Sequence, residues 1–491
     1  MKRLKFGTRK RIAISIITFA SILLISIFLV WHIEKNAATV LTDGEIMIRL
    51  IIIPAIISVS IFFSTASAES LPKDEVVHKQ SNVSKHRTQP FVAQVIGLQW
   101  LNPLQRMDYP TEWQLLWTMG LVAPNKNDDM VKTNPQKYGS VQSISSIAVG
   151  NDGEETFDGY HRKYLREVFV LYRDNYFSDS RYFYNAHSKK DRSTWRELAG
   201  IHIEYALPEE KIDPIKAGKD LQEYVTDYFD IGNKSFPNSW SKSTLPDINV
   251  TTGGANAGFS SLAKGLDYLQ AHPSETVWIM NWDAPSRPKD RQIDENIVQL
   301  ILAGPDYETG RAPLAWLSYP ASAKASDFTT ESKPSPRLVQ AWKTVFDKAA
   351  IHAGKQTRDI GFVIHDANAT HPDSTERLAP LAQTLTEQLP ELDFTKQTFN
   401  TAALLGEMRA GSALTNVALA IAYANHIGKN VLVAGTTDLN QPTATVVIPP
   451  AVVRPINPDE PWFRARGGNT TYLPWWGLRH DATKGSQGYS R

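Results

Sequence analysis

Short apolar runs alternate with amphipathic segments between residues 246 and 440. The run at 247–252 predicts a strand, and the segment at 258–270 carries apolar side chains at the three- and four-residue spacing of a helix. The same pattern predicts strands at 275–282, 359–364 and 430–434, and helices at 336–353, 374–389 and 412–427. Strands that alternate with helices favour a parallel-type sheet that is covered on both faces.

Upstream of residue 246 the pattern is less regular. An apolar run at 91–100 predicts a strand, and the residues from Asp108 to Glu112 are typical of a helix start. Further strands are predicted at 143–149, 167–172 and 200–205, and a helix at 217–230. The two strand–helix–strand blocks, at 247–282 and 359–434, indicate a weak twofold internal organisation.

Two apolar stretches lie near the N-terminus, at 12–31 and 46–63. The first is uncharged and long enough to cross a bilayer as a helix, and six basic residues precede it. Such a basic flank stays on the cytoplasmic side. Because basic residues also follow the second stretch, we favour a helical hairpin in the membrane with a cytoplasmic folded domain.

The second stretch has an alternative interpretation. It ends in Ala66-Ser67-Ala68, a small-residue pattern typical of signal-peptide cleavage. Cleavage after Ala68 would place the folded domain in the periplasm.

These patterns divide the chain into five parts. We predict a membrane anchor at 1–68, a polar linker at 69–90, an N-terminal half with insertions at 91–245, a C-terminal part at 246–454, and an irregular tail at 455–491. Aromatic side chains in the tail could form a protein-binding patch, because Trp and Tyr are enriched in interface hot spots, or they could pack on the chain's own core. They are Trp462, Phe463, Tyr472, Trp475 and Trp476.

Composition excludes several classes of function. Hydrophobic residues make up 42% and charged residues 21% of the 491 residues, values typical of a globular protein. A net charge of +1 gives no electrostatic footprint for nucleic acid, so we expect no nucleic-acid partner. The chain has no cysteine, which excludes Cys-ligated zinc, iron–sulfur clusters and a thiolate nucleophile. We expect no cofactor and no metal.

Three short motifs carry the candidate chemistry. The first, at 253–259, reads Gly-Gly-Ala-Asn-Ala-Gly-Phe and joins a predicted strand to a predicted helix. A nucleophile at such a helix start is activated by the positive end of the helix. The second motif is His365-Asp366-Ala367-Asn368 at the end of a strand, and the third spans Gly406 to Ser412.

Together these motifs resemble the ketoacyl synthases of the thiolase superfamily, in which the first motif reads Ala-Cys-Ala-Gly-Phe and the second His-Gln-Ala-Asn. The resemblance covers roughly residues 246–440. It implies a thiolase-like, layered α/β/α fold with duplicated strand–helix halves, here preceded by one or two N-terminal transmembrane helices.

This chain differs from the ketoacyl synthases at the positions that carry their chemistry. Asn256 stands at the position of the nucleophilic cysteine, and an amide nitrogen is not a usable nucleophile for acyl transfer. Glu407 stands where the family has a neutral donor, and its negative charge would oppose a developing oxyanion. Only His365 is retained, and we interpret it as a structural histidine. For Glu407, beside Arg409, we favour a salt-bridged surface loop.

A more specific resemblance covers nearly the whole soluble part. The segments 95–106 and 109–117 are similar to the type VI lipase adapter family. This resemblance implies a non-catalytic adapter that binds a lipase effector of a type VI secretion system and loads it onto the secretion spike protein. Two alternatives remain: a sensor that binds acyl-CoA or a lipid, and an acyl-handling enzyme that uses His365 and Glu407.

Overall fold

The computed structural model describes the greater part of the region after residue 90, in segments. These are 90–102, 111–123, 132, 135–138, 157–178, 201–209, 211–229, 231, 245–284, 296–308, 312–328, 336–367 and 373–456. The two apolar N-terminal stretches, the predicted strand at 143–149 and the five aromatic residues of the tail lie outside these segments. None of the helices in the segments above is long and apolar enough to span a membrane.

The strands of the described segments form a single sheet. They are β1 Val92–Leu101, β2 His202–Pro208, β3 Asp247–Gly253, β4 Thr276–Asp283, β5 Asn296–Ala303, β6 Ala315–Ser318, β7 Ala321–Ser322, β8 Ile360–His365, β9 Thr398–Asn400, β10 Asn430–Gly435 and β11 Thr443–Ile448. Their order is β3-β2-β4-β5-β1-β6-β11-β10-β8-β9, and β7 pairs with β11.

The sheet contains the same five-strand arrangement twice. In the first repeat β2 is parallel to β3 and β4, and β5 is antiparallel to β4 and β1. In the second repeat β8 is parallel to β9 and β10, and β11 is antiparallel to β10 and β6. Antiparallel pairing of β1 with β6 joins the repeats. The sheet therefore contains a duplicated arrangement. The strands of the first repeat end at Ala303, and those of the second repeat begin at Ala315. The domain boundaries drawn from the sequence stay a prediction.

Helices cover both faces of each repeat, which confirms the mixed α/β class. They are α1 Thr111–Thr118, α2 Pro135–Tyr138, α3 Phe157–Ser178, α4 Pro214–Tyr228, α5 Ala257–Ala271, α6 Arg337–His352, α7 Ser374–Gln388, α8 Thr401–Leu405 and α9 Ser412–Ile427. Helices α3 and α4 pack outside the first repeat, and α6 and α7 outside the second. Between the repeats, α5 and α9 contact each other.

The strand residues alternate between these layers as their period of two requires. In β10, Val431 and Val433 face the core around α5 and α9, whereas Leu432 and Ala434 face the core beneath α6 and α7. In β4, Val277 and Ile279 lie against Gly265 of α5. Trp278, which lies between them in the sequence, is on the other face of the sheet, against α3.

Most predicted elements are confirmed within a few residues, but the predicted strand at 167–172 is wrong. These residues belong to α3. Within that helix Tyr164, Leu165, Val168 and Phe169 are fully buried, and their spacing of three and four residues is helical. The β-branched and aromatic run indicated a strand, but the longer helical period decides the structure. Strand β5 was missed, although all eight of its residues are buried and six of them are apolar.

A buried ion pair connects the two ends of the described domain. Glu112 of α1 is fully buried, and its two carboxylate oxygens each accept a hydrogen bond of 3.1 Å from Arg454. His426, at the end of α9, lies 2.8 Å from the same carboxylate. Beside it, Trp113 and Trp117 stack in the core with ring centroids 4.9 Å apart, as their helical spacing predicts. Removing either charge of such a buried pair is strongly destabilising.

A second buried cluster lies at the start of β2 and β3. His202 is between two carboxylates, 2.8 Å from Glu204 and 2.8 Å from Asp247, and it stacks on Tyr268 at 3.9 Å. Burial lowers the pKa of His202, but its hydrogen bonds and charge interactions with Glu204 and Asp247 outweigh this effect, so the pKa is raised above 6.5. Protonated His202 therefore stabilises the fold.

We expect the free energy of unfolding to fall as the pH rises from 6.5 through the raised pKa of His202. The reason is that the folded state releases a proton that the unfolded state has already lost at a lower pH. Chemical denaturation at a series of pH values, followed by tryptophan fluorescence, measures this slope. A His202→Gln variant is expected to have a smaller slope over the same range, and an unchanged slope would contradict the assignment.

Candidate functional site

Asn256 lies at the N-terminus of α5, directly after strand β3 and the turn at Gly254. Its backbone accepts a hydrogen bond of 3.2 Å from the Ser260 N–H, and its side chain does not cap the helix among the described hydrogen bonds. The sequence correctly predicts the helix start here, because the small residues around Asn256 interrupt the strand and Phe259 begins the apolar spacing of the helix.

The loop between β10 and β11, residues 436–442, lies over this helix start. The Asn256 amide donates a hydrogen bond of 3.3 Å to the backbone carbonyl of Gln441. On its other side the amide oxygen packs against Gly435, where an added Cβ would lie only 2.7 Å from it. Asn256 is thus half-buried between the end of β10 and the loop that follows it.

His365 is the last residue of β8 and is 2% exposed. Its Nδ1 accepts a hydrogen bond of 3.3 Å from the Ala367 N–H, and its carbonyl accepts one of 3.1 Å from the Thr401 hydroxyl at the start of α8. Burial lowers the pKa of His365 to about 4, so the ring is neutral at pH 7. The contact to Ala367 occupies Nδ1 as an acceptor.

Asp366 links the end of β8 to the same loop that covers Asn256. Its carboxylate accepts hydrogen bonds of 2.7 and 2.8 Å from the backbone and hydroxyl of Thr436, and one of 3.1 Å from Thr437. Burial raises the pKa of Asp366, while these three donors lower it. The carboxylate thereby fixes the first residues of loop 436–442.

Glu407 lies in the segment between α8 and α9. Its carboxylate is 3.4 Å from the guanidinium of Arg377 on α7, and the side chains are 28% and 7% exposed respectively. The sequence around Glu407 gives no indication that its partner is Arg377 on α7. The pair connects the segment before α9 to α7.

The turn at 409–411 holds the start of α9 against the first repeat. Asp283 at the end of β4 accepts a hydrogen bond of 3.1 Å from the Ala410 N–H and pairs with Lys211 at 3.1 Å. Burial raises the pKa of Asp283, and Lys211 lowers it. Asn281 donates to the carbonyls of Ala410 and Gly411 at 3.2 and 2.8 Å. This turn is thus anchored by residues of the other repeat.

The structure places both Asn256 and His365 beside the end of strand β10. Ala434 of β10 is the register partner of His365, and the next residue, Gly435, contacts Asn256. Glu407 makes its described ion pair with Arg377, and Asn368 of the second motif lies outside the described segments. Loop 436–442 and Arg377 were missed from the sequence, because their roles come from contacts between residues far apart in the chain.

The arrangement offers little acid–base or nucleophilic chemistry. Asn256 has no group that can form an acyl intermediate, and its amide donates to Gln441. His365 is neutral, but burial and its Ala367 contact limit its access to an external ligand. No group of three or more metal-ligating side chains occurs within the described segments.

We expect the buried neutral His365 to make the fold sensitive to acid. As the pH falls from 6.5 towards 4, the unfolded chain gains a proton that the folded chain resists, so stability present at neutral pH is lost. The shift to a pKa of about 4 corresponds to about 3 kcal/mol. Denaturation at pH 7 and pH 5 measures the part of this loss that falls between those values, about 2 kcal/mol. A His365→Gln variant that loses as much stability over this range as the wild type would contradict this role.

Comparison with known proteins gives one family match. Residues 314–449 match the family model described as "Type VI lipase adapter protein Tla3, C-terminal". The match covers the second repeat, from the strand β6 to the strand β11. It confirms the resemblance to the type VI lipase adapter family in this part of the chain. No curated protein sequence matches the chain.

Several solved structures of ketosynthases share the general architecture. An oxazolomycin ketosynthase domain from Streptomyces albus has a TM-score of 0.46 and 12% identity, covering 77% of this chain and 100% of its own. The ketosynthase from module 6 of the bacillaene synthase of Bacillus subtilis has a TM-score of 0.46 and 12% identity, covering 73% and 72%. At these scores the likeness carries no functional argument.

Proposed function

From the match of its second repeat to the type VI lipase adapter family, we propose that this chain is a non-catalytic adapter that binds a lipase effector of a type VI secretion system. The family match is the observation that carries the proposal. The chemistry of the candidate site supports its non-catalytic part.

The site lacks what acyl transfer requires. That reaction needs a nucleophile that attacks the thioester carbonyl and donors that stabilise the resulting oxyanion. Asn256 occupies the expected nucleophile position with an amide bound to Gln441, and the chain has no cysteine elsewhere. Glu407 pairs with Arg377 on α7, and no described contact joins it to Asn256 or His365. No described contact favours the alternatives of an acyl-CoA or lipid sensor or an acyl-handling enzyme.

Loading of the lipase onto the spike protein and attachment to the inner membrane are further parts of this proposal. The motivating features are the family resemblance and the two apolar stretches at 12–31 and 46–63. The aromatic residues at 462–476 are candidates for one of the partner surfaces, because large aromatic side chains dominate interface energies.

We expect the purified chain to bind the lipase encoded beside its own gene and to leave acyl-CoA intact. Binding is measured by co-purification and by calorimetry at micromolar concentration. Release of coenzyme A is measured with a thiol reagent, and the chain itself contributes no background because it has no cysteine. An acyl-CoA thioesterase serves as the positive control.

Matched variants separate the two parts of the proposal. Glu407→Gln removes the carboxylate that pairs with Arg377, and Asn256→Ala removes the amide that donates to Gln441. Neither variant is expected to release coenzyme A or to abolish lipase binding. Absence of a complex at micromolar concentration would count against the adapter. Release of coenzyme A that is lost in His365→Gln would establish the acyl-handling alternative.

The cytoplasmic placement of the folded domain is tested with a fusion at residue 90. Alkaline phosphatase is active only after export, so a fusion there is expected to be inactive if residues 12–31 and 46–63 form a hairpin. A β-lactamase fusion at the same residue also requires export and gives an independent second readout. Phosphatase activity would instead support cleavage after Ala68 and a periplasmic domain.

A further inference from the structure

Strand β3 forms one end of the sheet and exposes a long edge. No strand of the described segments pairs with it on the side away from β2. Its seven residues are exposed or half-buried, and from Ile248 to Gly253 they include no charge and no proline. Sheet edges of soluble proteins are commonly protected by charged residues, prolines, bulges or very short strands.

The second repeat provides an internal comparison. Strand β9 occupies the position equivalent to β3 at the opposite end of the sheet. It has only three residues, Thr398–Asn400, which is one of the usual ways of blunting an edge. The two equivalent edges therefore differ, and only β3 offers enough backbone among the described strands to pair with another segment.

A groove of about 550 Å³ runs beside this edge, between β3 and α4. Gly218 allows α4 to pack closely on Ile248 and Val250, which face the groove. At its rim, Ile215 is 84% exposed, and Leu245 just before the strand is 59% exposed. The groove therefore offers apolar surface to alternate side chains of an added strand.

Lysines flank the edge on both faces of the sheet. Lys219 of α4 lines the groove and is 73% exposed. On the opposite face, Lys264 of α5 donates a hydrogen bond of 2.7 Å to the hydroxyl of Thr251. Asp247, at the beginning of β3, is the acidic residue of the strand, and it pairs with His202. Lys219 pairs with Glu223 at 3.6 Å, so the positive charge beside the edge comes from Lys264, next to Thr251.

This charge pattern distinguishes between two kinds of occupant. If a second copy paired antiparallel about the middle residue Val250, the Thr251 residues of the two copies would be diagonal neighbours about 7–8 Å apart. Their lysines at position 264 would then lie on one face and repel each other. A different protein with acidic residues near these lysines would be attracted instead.

We propose that β3 is the docking site for an extended segment of the lipase effector, which adds a strand to the sheet edge. That segment carries apolar side chains at alternate positions, which fill the groove beside Ile215, Ile248 and Val250. It also carries an acidic residue that reaches Lys264 on the face of α5. Backbone hydrogen bonds supply affinity, and the alternate side chains supply specificity. This inference rests on the proposed adapter function.

The test uses the full chain and the purified lipase encoded beside its gene. The double variant Lys219→Glu and Lys264→Glu, and separately Ile215→Lys, are expected to weaken lipase binding at least tenfold. All three positions are exposed, so the fold is retained. Matched controls make the same changes elsewhere: the double variant Lys348→Glu and Lys396→Glu, and separately Ile351→Lys, all at exposed positions. Both controls are expected to bind as the wild type does.

Hydrogen exchange gives an independent readout. Amides of Asp247–Gly253 are expected to become protected when the lipase binds, because the added strand accepts hydrogen bonds from the outward-facing N–H groups. A lipase complex that forms without this protection, or that the edge variants leave unchanged, would overturn the docking site while leaving the adapter function intact.

The competing occupant is tested by sedimentation of the chain alone. We expect the chain alone to sediment as a monomer, or as an oligomer whose size the edge variants do not change. A dimer that Ile215→Lys converts to monomer would show that a second copy occupies the edge, and the proposal would fall.

Discussion

The two repeats are held together where α5 and α9 begin. Gly258 of α5 faces Ala413 of α9, and a Cβ at residue 258 would lie only 2.9 Å from the Cβ of Ala413. A larger side chain would separate the helices, since they fill the space between the two cores. Such a separation would displace Asn256, two residues earlier in the chain, and the turn at 409–411. One close contact thus determines both the packing of the repeats and the geometry of the candidate site.

The duplication explains why the three motifs converge. Helix α5 follows the third strand of the first repeat and precedes the fourth, and α9 has the same place in the second repeat. The segments before the two helices, at Asn256 and at 406–411, are therefore equivalent by topology. His365 ends β8, the neighbour of β10, and loop 436–442 continues from β10. Asp366 and Thr436 meet because the parallel strands β8 and β10 end at the same side of the sheet, and Asn256 reaches them from the first repeat through the Gln441 carbonyl and Gly435.

Much of this arrangement is predictable from local pattern. The helix Ser412–Ile427 has the bounds that its sequence predicts, and the helix start at Asn256 follows from small residues before an apolar helical spacing. The Arg377 partner of Glu407 was not predictable, because 30 residues separate the pair and no local signal connects them. The same holds for Gln441, which is 185 residues from Asn256 and contributes a backbone carbonyl that every residue possesses.

The ion pair between Glu112 and Arg454 also has a consequence for biosynthesis. These residues are 342 positions apart, and Arg454 follows the last described strand. On the ribosome, α1 emerges long before its partner, and β1 must likewise wait for β6 of the second repeat. Domains generally fold as units, and contacts so distant in sequence form slowly. The nascent first repeat therefore carries an unpaired carboxylate and unfinished strand edges until nearly the whole chain has been translated, which is the stage at which chaperone protection would matter most.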